Sequence, residues 1–173
     1  MMSRITSGGE PPSLERRIMP ETVLCAVPIK TVKLIGIPKS FAFIVTDQRT
    51  IFVPLTSTMI KQAVVEARDQ ASAEGKGFMG KWAAQMKASL GYTSRFLDME
   101  PDEILRQYPE HNVTPNDSFS KVRIKMREDP NRELILWHLV LHGPGGKAKY
   151  ELQSRTKDVV NALKQAYGNR FKG

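Results

Sequence analysis

Residues 121–127 read Lys-Val-Arg-Ile-Lys-Met-Arg, base and apolar residue alternating without a break. A period of two is the mark of a strand with one face toward a core and the other toward solvent. Working downstream, Asp129-Pro130-Asn131 supplies a turn, and 134–142 (LILWHLVLH) is a second strand. Gly143-Pro144-Gly145-Gly146 turns again into a strand over 147–153. Thr156 then caps a helix whose Val159, Val160, Leu163, Ala166 and Tyr167 share one apolar face, and Gly168 stops it.

Working upstream, the pattern changes period. Pro101 opens a short helix that runs to Tyr108 and is closed by Pro109. Before it, Ile60, Ala63, Val64 and Ala67 recur at helical spacing, and Phe78, Trp82, Met86 and Leu90 do so again. Gly75, Gly77 and Gly80 lie between the two sets, which predicts two helices joined by a glycine break. Still earlier, Thr22 to Lys33 is β-branched and apolar and reads as a strand. Phe41–Val45 and Ile51–Val53 flank Thr46-Asp47-Gln48-Arg49 as a hairpin whose second arm ends at Pro54. Strands, a helical excursion, more strands and a terminal helix therefore follow one another.

The segments AFIVTDQRTIFVPL (42–55), VTPNDSFSKVRI (113–124) and KYELQSRTKDVVNALKQAYGNRF (149–171) carry a resemblance. They look like the bacterial and archaeal domains of the pleckstrin-homology-like (PH-like) superfold, in which a TD-x-R hairpin opens the sheet. The resemblance covers about residues 22–56 and 112–171. It implies an α+β, mainly β fold: a seven-stranded antiparallel bent sheet or barrel capped by the C-terminal helix. Residues 21–173 would form one PH-like domain, with a helical insertion over about 57–111, between strands 3 and 4. Lipid-binding members hold phosphates with bases around the first inter-strand loop. Lys33 and Lys39 match two of those positions, and Phe41 stands where the pattern has Arg, which implies nonspecific anion attraction.

Composition narrows the class. The 173 residues are 40% apolar and 25% charged, which excludes a disordered or collagenous chain. One cysteine, Cys25, excludes an internal disulfide framework and a multi-thiolate metal site, and makes a reducing, cytoplasmic setting the default. Residues 1–20 hold no apolar run of signal-peptide length and read as a mobile tail rich in Gly and Pro. The net charge of +8 is unevenly placed: residues 96–118 hold six acids and one base, residues 119–173 twelve bases and five acids. A basic half of that kind meets an anionic membrane surface, a nucleic acid or an acidic protein, or is simply a solvated face.

Chemical motifs are sparse. Gly75-Lys76-Gly77-Phe78-Met79-Gly80 spells G-x-G-x-x-G, but it follows a helical pattern where a dinucleotide site needs a strand. It reads as a hinge, and no cofactor is expected. His138 and His142 share a strand face about 13 Å apart, too far for one metal whose imidazole bonds are about 2 Å. Cys25 sits among apolar residues, Asp47 and Arg49 at a turn, and the acids of 98–103 where a helix dipole favours them. None has a visible partner to tune it, so the chain is expected not to be an enzyme.

Two surfaces remain as candidates. On its strand, Lys121, Arg123, Lys125 and Arg127 fall on one face over about 20 Å, and Lys147 and Lys149 alternate outward nearby. Phe78, Trp82 and Met86 form an apolar helix face that either docks on the sheet or meets a membrane, a partner or a second copy. The reading is a binding module recruited to an anionic membrane surface, as a cytoplasmic protein peripheral to the membrane, or to a protein partner. Backbone-directed nucleic-acid binding through the basic half is the alternative.

Overall fold

A computed structural model describes residues 20–32, 36–59, 61, 62, 65, 69, 91–129 and 134–173. The fold is α+β and mainly β. Its strands are β1 (Val23–Thr31), β2 (Ser40–Thr46), β3 (Arg49–Leu55), β4 (Asn112–Pro115), β5 (Lys121–Asp129), β6 (Leu134–Gly143), β7 (Gly146–Leu152) and β8 (Phe171–Lys172). They make one sheet in the order β4-β3-β2-β1-β7-β6-β5-β8, antiparallel throughout except where β8 joins β5 in parallel. Helix α1 spans Pro101–Gln107 and helix α2 spans Lys157–Tyr167.

Two apolar layers flank the sheet. On its inner face Val27, Ile29, Phe43 and Val45 of the β1–β2 half meet Val122, Ile124, Leu139 and Leu141 of the β5–β6 half. Helix α2 closes that layer with Val159, Leu163 and Tyr167. Thr156 accepts the Val159 N–H through its hydroxyl, and Gly168 ends the helix at φ +54°, a conformation that a Cβ resists. On the outer face of β1–β3, Ala26, Ala42, Ile44, Ile51 and Val53 are covered by Phe96, from a 3-10 turn over Tyr92–Asp98, and by Ile104 of α1. That double coverage explains why Ala42-Phe43-Ile44-Val45 is apolar in every position, whereas β5 alternates.

The hydrogen bonds that join the two ends of the sheet are buried. Thr50 Oγ1 donates to Asn116 Oδ1 at 2.8 Å and shares a 2.6 Å bond with the Tyr167 hydroxyl. Asn116 Nδ2 donates to the Thr46 carbonyl at 2.8 Å, so this one amide ties the β2–β3 hairpin to the start of the second half.

Several details depart from expectation. The sheet has eight strands where the resemblance implies seven, because the two-residue β8 adds to β5. Pro54 does not end β3: it pairs with Phe41 inside the ladder. The proline survives there because β4 stops at Asn112, opposite Phe52, and leaves no strand to receive an N–H from Pro54. Between β3 and β4, residues 57–59, 61, 62, 65 and 69 are helical. The N-terminal tail before Pro20, the glycine break at 75–80 and the face of Phe78, Trp82 and Met86 lie outside the described residues.

Candidate cationic face

The outer face of the second half is built by cross-strand register. Paired residues on neighbouring strands point to the same side, so each pairing extends a row across the sheet. Lys121 pairs with His142, and His142 with Lys147. In the next row Lys172 of β8 meets Arg123, which meets Val140 and then Lys149. The third row joins Lys125, His138, Glu151 and Lys30 of β1. Arg127 lies beyond it, opposite Leu136.

Among the described side chains of this face Glu151 is the one acid, and none of its bases forms an ion pair with a described residue. The ion pairs lie elsewhere: Arg49 meets Glu21 at 2.8 Å and Asp102 at 2.5 Å. Like charge leaves its trace on Lys121, whose pKa is held below its ordinary value by Arg123 first, with slight desolvation and then Lys172 and Lys125 adding to it. His138 is buried at the centre of the patch, and its pKa is lowered by burial and by Lys149 and Arg127, against a smaller upward pull from Glu151. Arg123 Nε is buried without an acceptor among the described residues.

All the expected bases of β5 and β7 therefore come together: Lys121, Arg123, Lys125, Arg127, Lys147 and Lys149 share one surface. Lys172 and Lys30 join them without having been anticipated. The signal for Lys172 is only its parity with the buried Phe171, which becomes meaningful once β8 is known to pair with β5. Lys39 is exposed in the β1–β2 connection, where its backbone bonds to Thr31, and Lys33 lies outside the described residues. Phe41 turns inward and meets Tyr150 edge-on at 6.4 Å.

The other candidates have structural partners. Asp47 accepts the Thr22 N–H, Asp102 pairs with Arg49, and Glu103 accepts from Gln107. Burial pushes the Cys25 thiol up to about 12, so it is not a thiolate near neutrality. His138 is buried and His142 half-buried, and no described group of His, Cys, Asp and Glu is clustered to hold a metal. Trp137 packs against the inner layer and carries the Arg155 guanidinium 4.5 Å above its ring.

Two clefts of about 260 Å³ each open from the inner layer. One lies at the β6–β7 turn, walled by Phe41, Phe52, Phe119, Leu141, Ala148 and Tyr150. The other lies between β1 and the start of α2, beside Thr93 and Val159. Among the described residues no helix is long and apolar enough to cross a membrane. Compared with protein-family models, with curated proteins and with solved structures, the chain matches none.

Proposed function

We propose that this chain is a non-enzymatic binding module of PH-like fold whose cationic face docks on an anionic membrane surface. The observation that carries the reading is the electrostatics of that face. Its bases stand in adjacent rows, form no ion pair with a described carboxylate, and repel one another enough to depress Lys121. An opposing anionic surface supplies the missing countercharge. The fold part of the reading is supported by seven antiparallel strands in the order β4-β3-β2-β1-β7-β6-β5, closed by α2, with helices between β3 and β4.

The face also weighs against base recognition in nucleic acid. Stacking needs exposed aromatic rings, and among the described residues Phe119, Trp137, Tyr150 and Phe171 on the strands of this half and the turn before β5 pack on the inner layer. Phosphate-backbone binding and an acidic protein partner remain as the outcomes that a comparison must separate.

Flotation with neutral and with anionic vesicles, run beside a nucleic-acid titration across a salt series, makes that comparison. The expected result is recovery with anionic vesicles only, lost as salt rises, and abolished in the Arg123→Glu, Lys125→Glu double variant. Equal recovery with neutral vesicles, or unaltered binding by the double variant, overturns the proposal. Binding to nucleic acid with no vesicle binding moves the function to the alternative.

A further inference from the structure

Two of the chain's three histidines stand inside the cationic face. The third, His111, adjoins β4 at the far edge of the sheet, where its Nδ1 lies 2.7 Å from the Tyr108 carbonyl. His142 is the middle member of the row Lys121–His142–Lys147 and is half-buried. It has a base beside it on each neighbouring strand, and Lys172 of β8 acts on one of them, Lys121. His138 is the buried member of the row Lys125–His138–Glu151–Lys30. The charged groups around it are Lys125 and Arg127 from β5, Lys149 and Glu151 from β7, and Lys30 from β1. Partners across an antiparallel ladder lie about 5 Å apart, so each imidazole is within close electrostatic reach of its neighbours.

Histidine is the side chain that ordinarily gains or loses its proton between about pH 5 and 8. In the free protein a proton on either ring meets like charge. At His138 burial opposes it first, then Lys149 and Arg127, with Glu151 pulling weakly the other way. An anionic surface laid on the face reverses that balance, because it supplies countercharge to the same bases. Whatever favours the proton in the docked state must, by linkage, favour docking once the proton is present.

We infer that acidification tightens the docking of this face on anionic lipid, with His138 and His142 as the proton sites. The inference rests on membrane docking by this face and adds its regulation. Near neutrality the lysines and arginines alone attract the surface; as pH falls, up to two further charges join them where lipid can neutralise them. Carboxylates titrate about two units below histidine, so the upper part of that range isolates the imidazoles.

The test measures partition of the full chain onto vesicles of phosphatidylcholine with phosphatidylglycerol, whose phosphodiester stays charged throughout, at pH about 7.5 and about 5.5. Partition should be about fivefold or more stronger at the lower pH. In a His138→Gln, His142→Gln variant that ratio should fall below about twofold. In a second measurement, the imidazole proton shifts of the unaltered protein are followed through the same range with and without micelles of short-chain phosphatidylglycerol. Both histidines should titrate at higher pH when the micelles are present. An undiminished ratio in the folded double variant, or titrations that the micelles do not move, overturns the inference and leaves membrane docking standing. So does vesicle binding of equal strength at the two pH values. If the double variant does not fold, the titrations decide. Absence of vesicle binding at both pH values removes membrane docking, and the inference with it.

Discussion

The outer face of the sheet divides between two solutions to the same problem. Over β1–β3 it presents Ala26, Ala42, Ile44, Ile51 and Val53, and the chain covers them with Phe96 and Ile104. Over β5–β7 it presents Lys121, Arg123, Lys125, Lys147 and Lys149, and no described helix lies over them. The boundary runs through β1, where Ala26 and Pro28 are buried and Lys30 is exposed. Apolar surface forces a fold to bring its own cover, whereas cationic surface is soluble by itself and stays available to a partner. Phe96, from the 3-10 turn, and Ile104 of α1 thus form a lid over one half of the face among the described residues.

The sharpest way to break this division is to remove the lid's anchor. Phe96 is fully buried against the outer apolar layer, in edge contact with Tyr92 and Tyr108. Phe96→Ala should cost about 3–5 kcal/mol by denaturant unfolding, through lost burial and the cavity left behind. A cost below about 1 kcal/mol would mean that the lid contributes little and the halves do not differ as described.

Next in size is the joint between the halves. Asn116→Ala strands the Thr46 carbonyl and leaves Thr50 with Tyr167 alone. Two buried bonds lost together should cost about 2–3 kcal/mol. Vesicle binding should survive at temperatures where the variant stays folded, since Asn116 lies off the cationic face.

Much of this arrangement was legible locally. The alternation of 121–127 and the capped terminal helix needed only neighbours in sequence, and both stand where their patterns put them. The short strands did not declare themselves: Asn112–Pro115 and Phe171–Lys172 are too brief for a period and exist only through pairing with β3 and β5. Nor did the Arg49–Asp102 pair, whose members are 53 residues apart and face each other only after α1 docks. The cationic row on β5 was visible as a stripe. Its growth into a patch depended on the β5–β6–β7 register, which no local signal fixes.

A smaller effect sits inside the cationic half. The pKa of His138 is lowered in the folded protein, so the unfolded chain binds its proton more readily. Stability is then fully present above the ordinary histidine range near 6.5 and is lost as pH falls from there toward the lowered folded value. Lys125 and Glu151 flank it across the strands, with Lys149 and Arg127 nearby, so protonation adds a charge to a face already rich in them. His138→Gln should flatten the fall in melting temperature between pH 7 and about 5 relative to the unaltered protein. An identical fall in both would assign it to the carboxylates instead.

The smallest expected effect tests the division most directly. Arg123 stands opposite Lys172, between Lys121 and Lys125 along β5. Like charges across a ladder are destabilising, and Arg123 is half-buried with its Nε lacking an acceptor among the described residues. Arg123→Glu places a carboxylate among those lysines and relieves their repulsion. Its unfolding free energy should therefore hold or rise slightly at low salt, by about 0.5 kcal/mol or less. At 1 M salt, where screening acts within about 3 Å, the gain should vanish. The contrasting change in the covered half, Ile44→Glu, should prevent folding, since it buries an unpaired charge beneath Phe96 and Ile104. Should Arg123→Glu instead lose more than about 1 kcal/mol at both salts, the arginine stem would be packing rather than merely presenting charge. The cationic half would then be part of the fold's own stability, and less of it would be free for a partner.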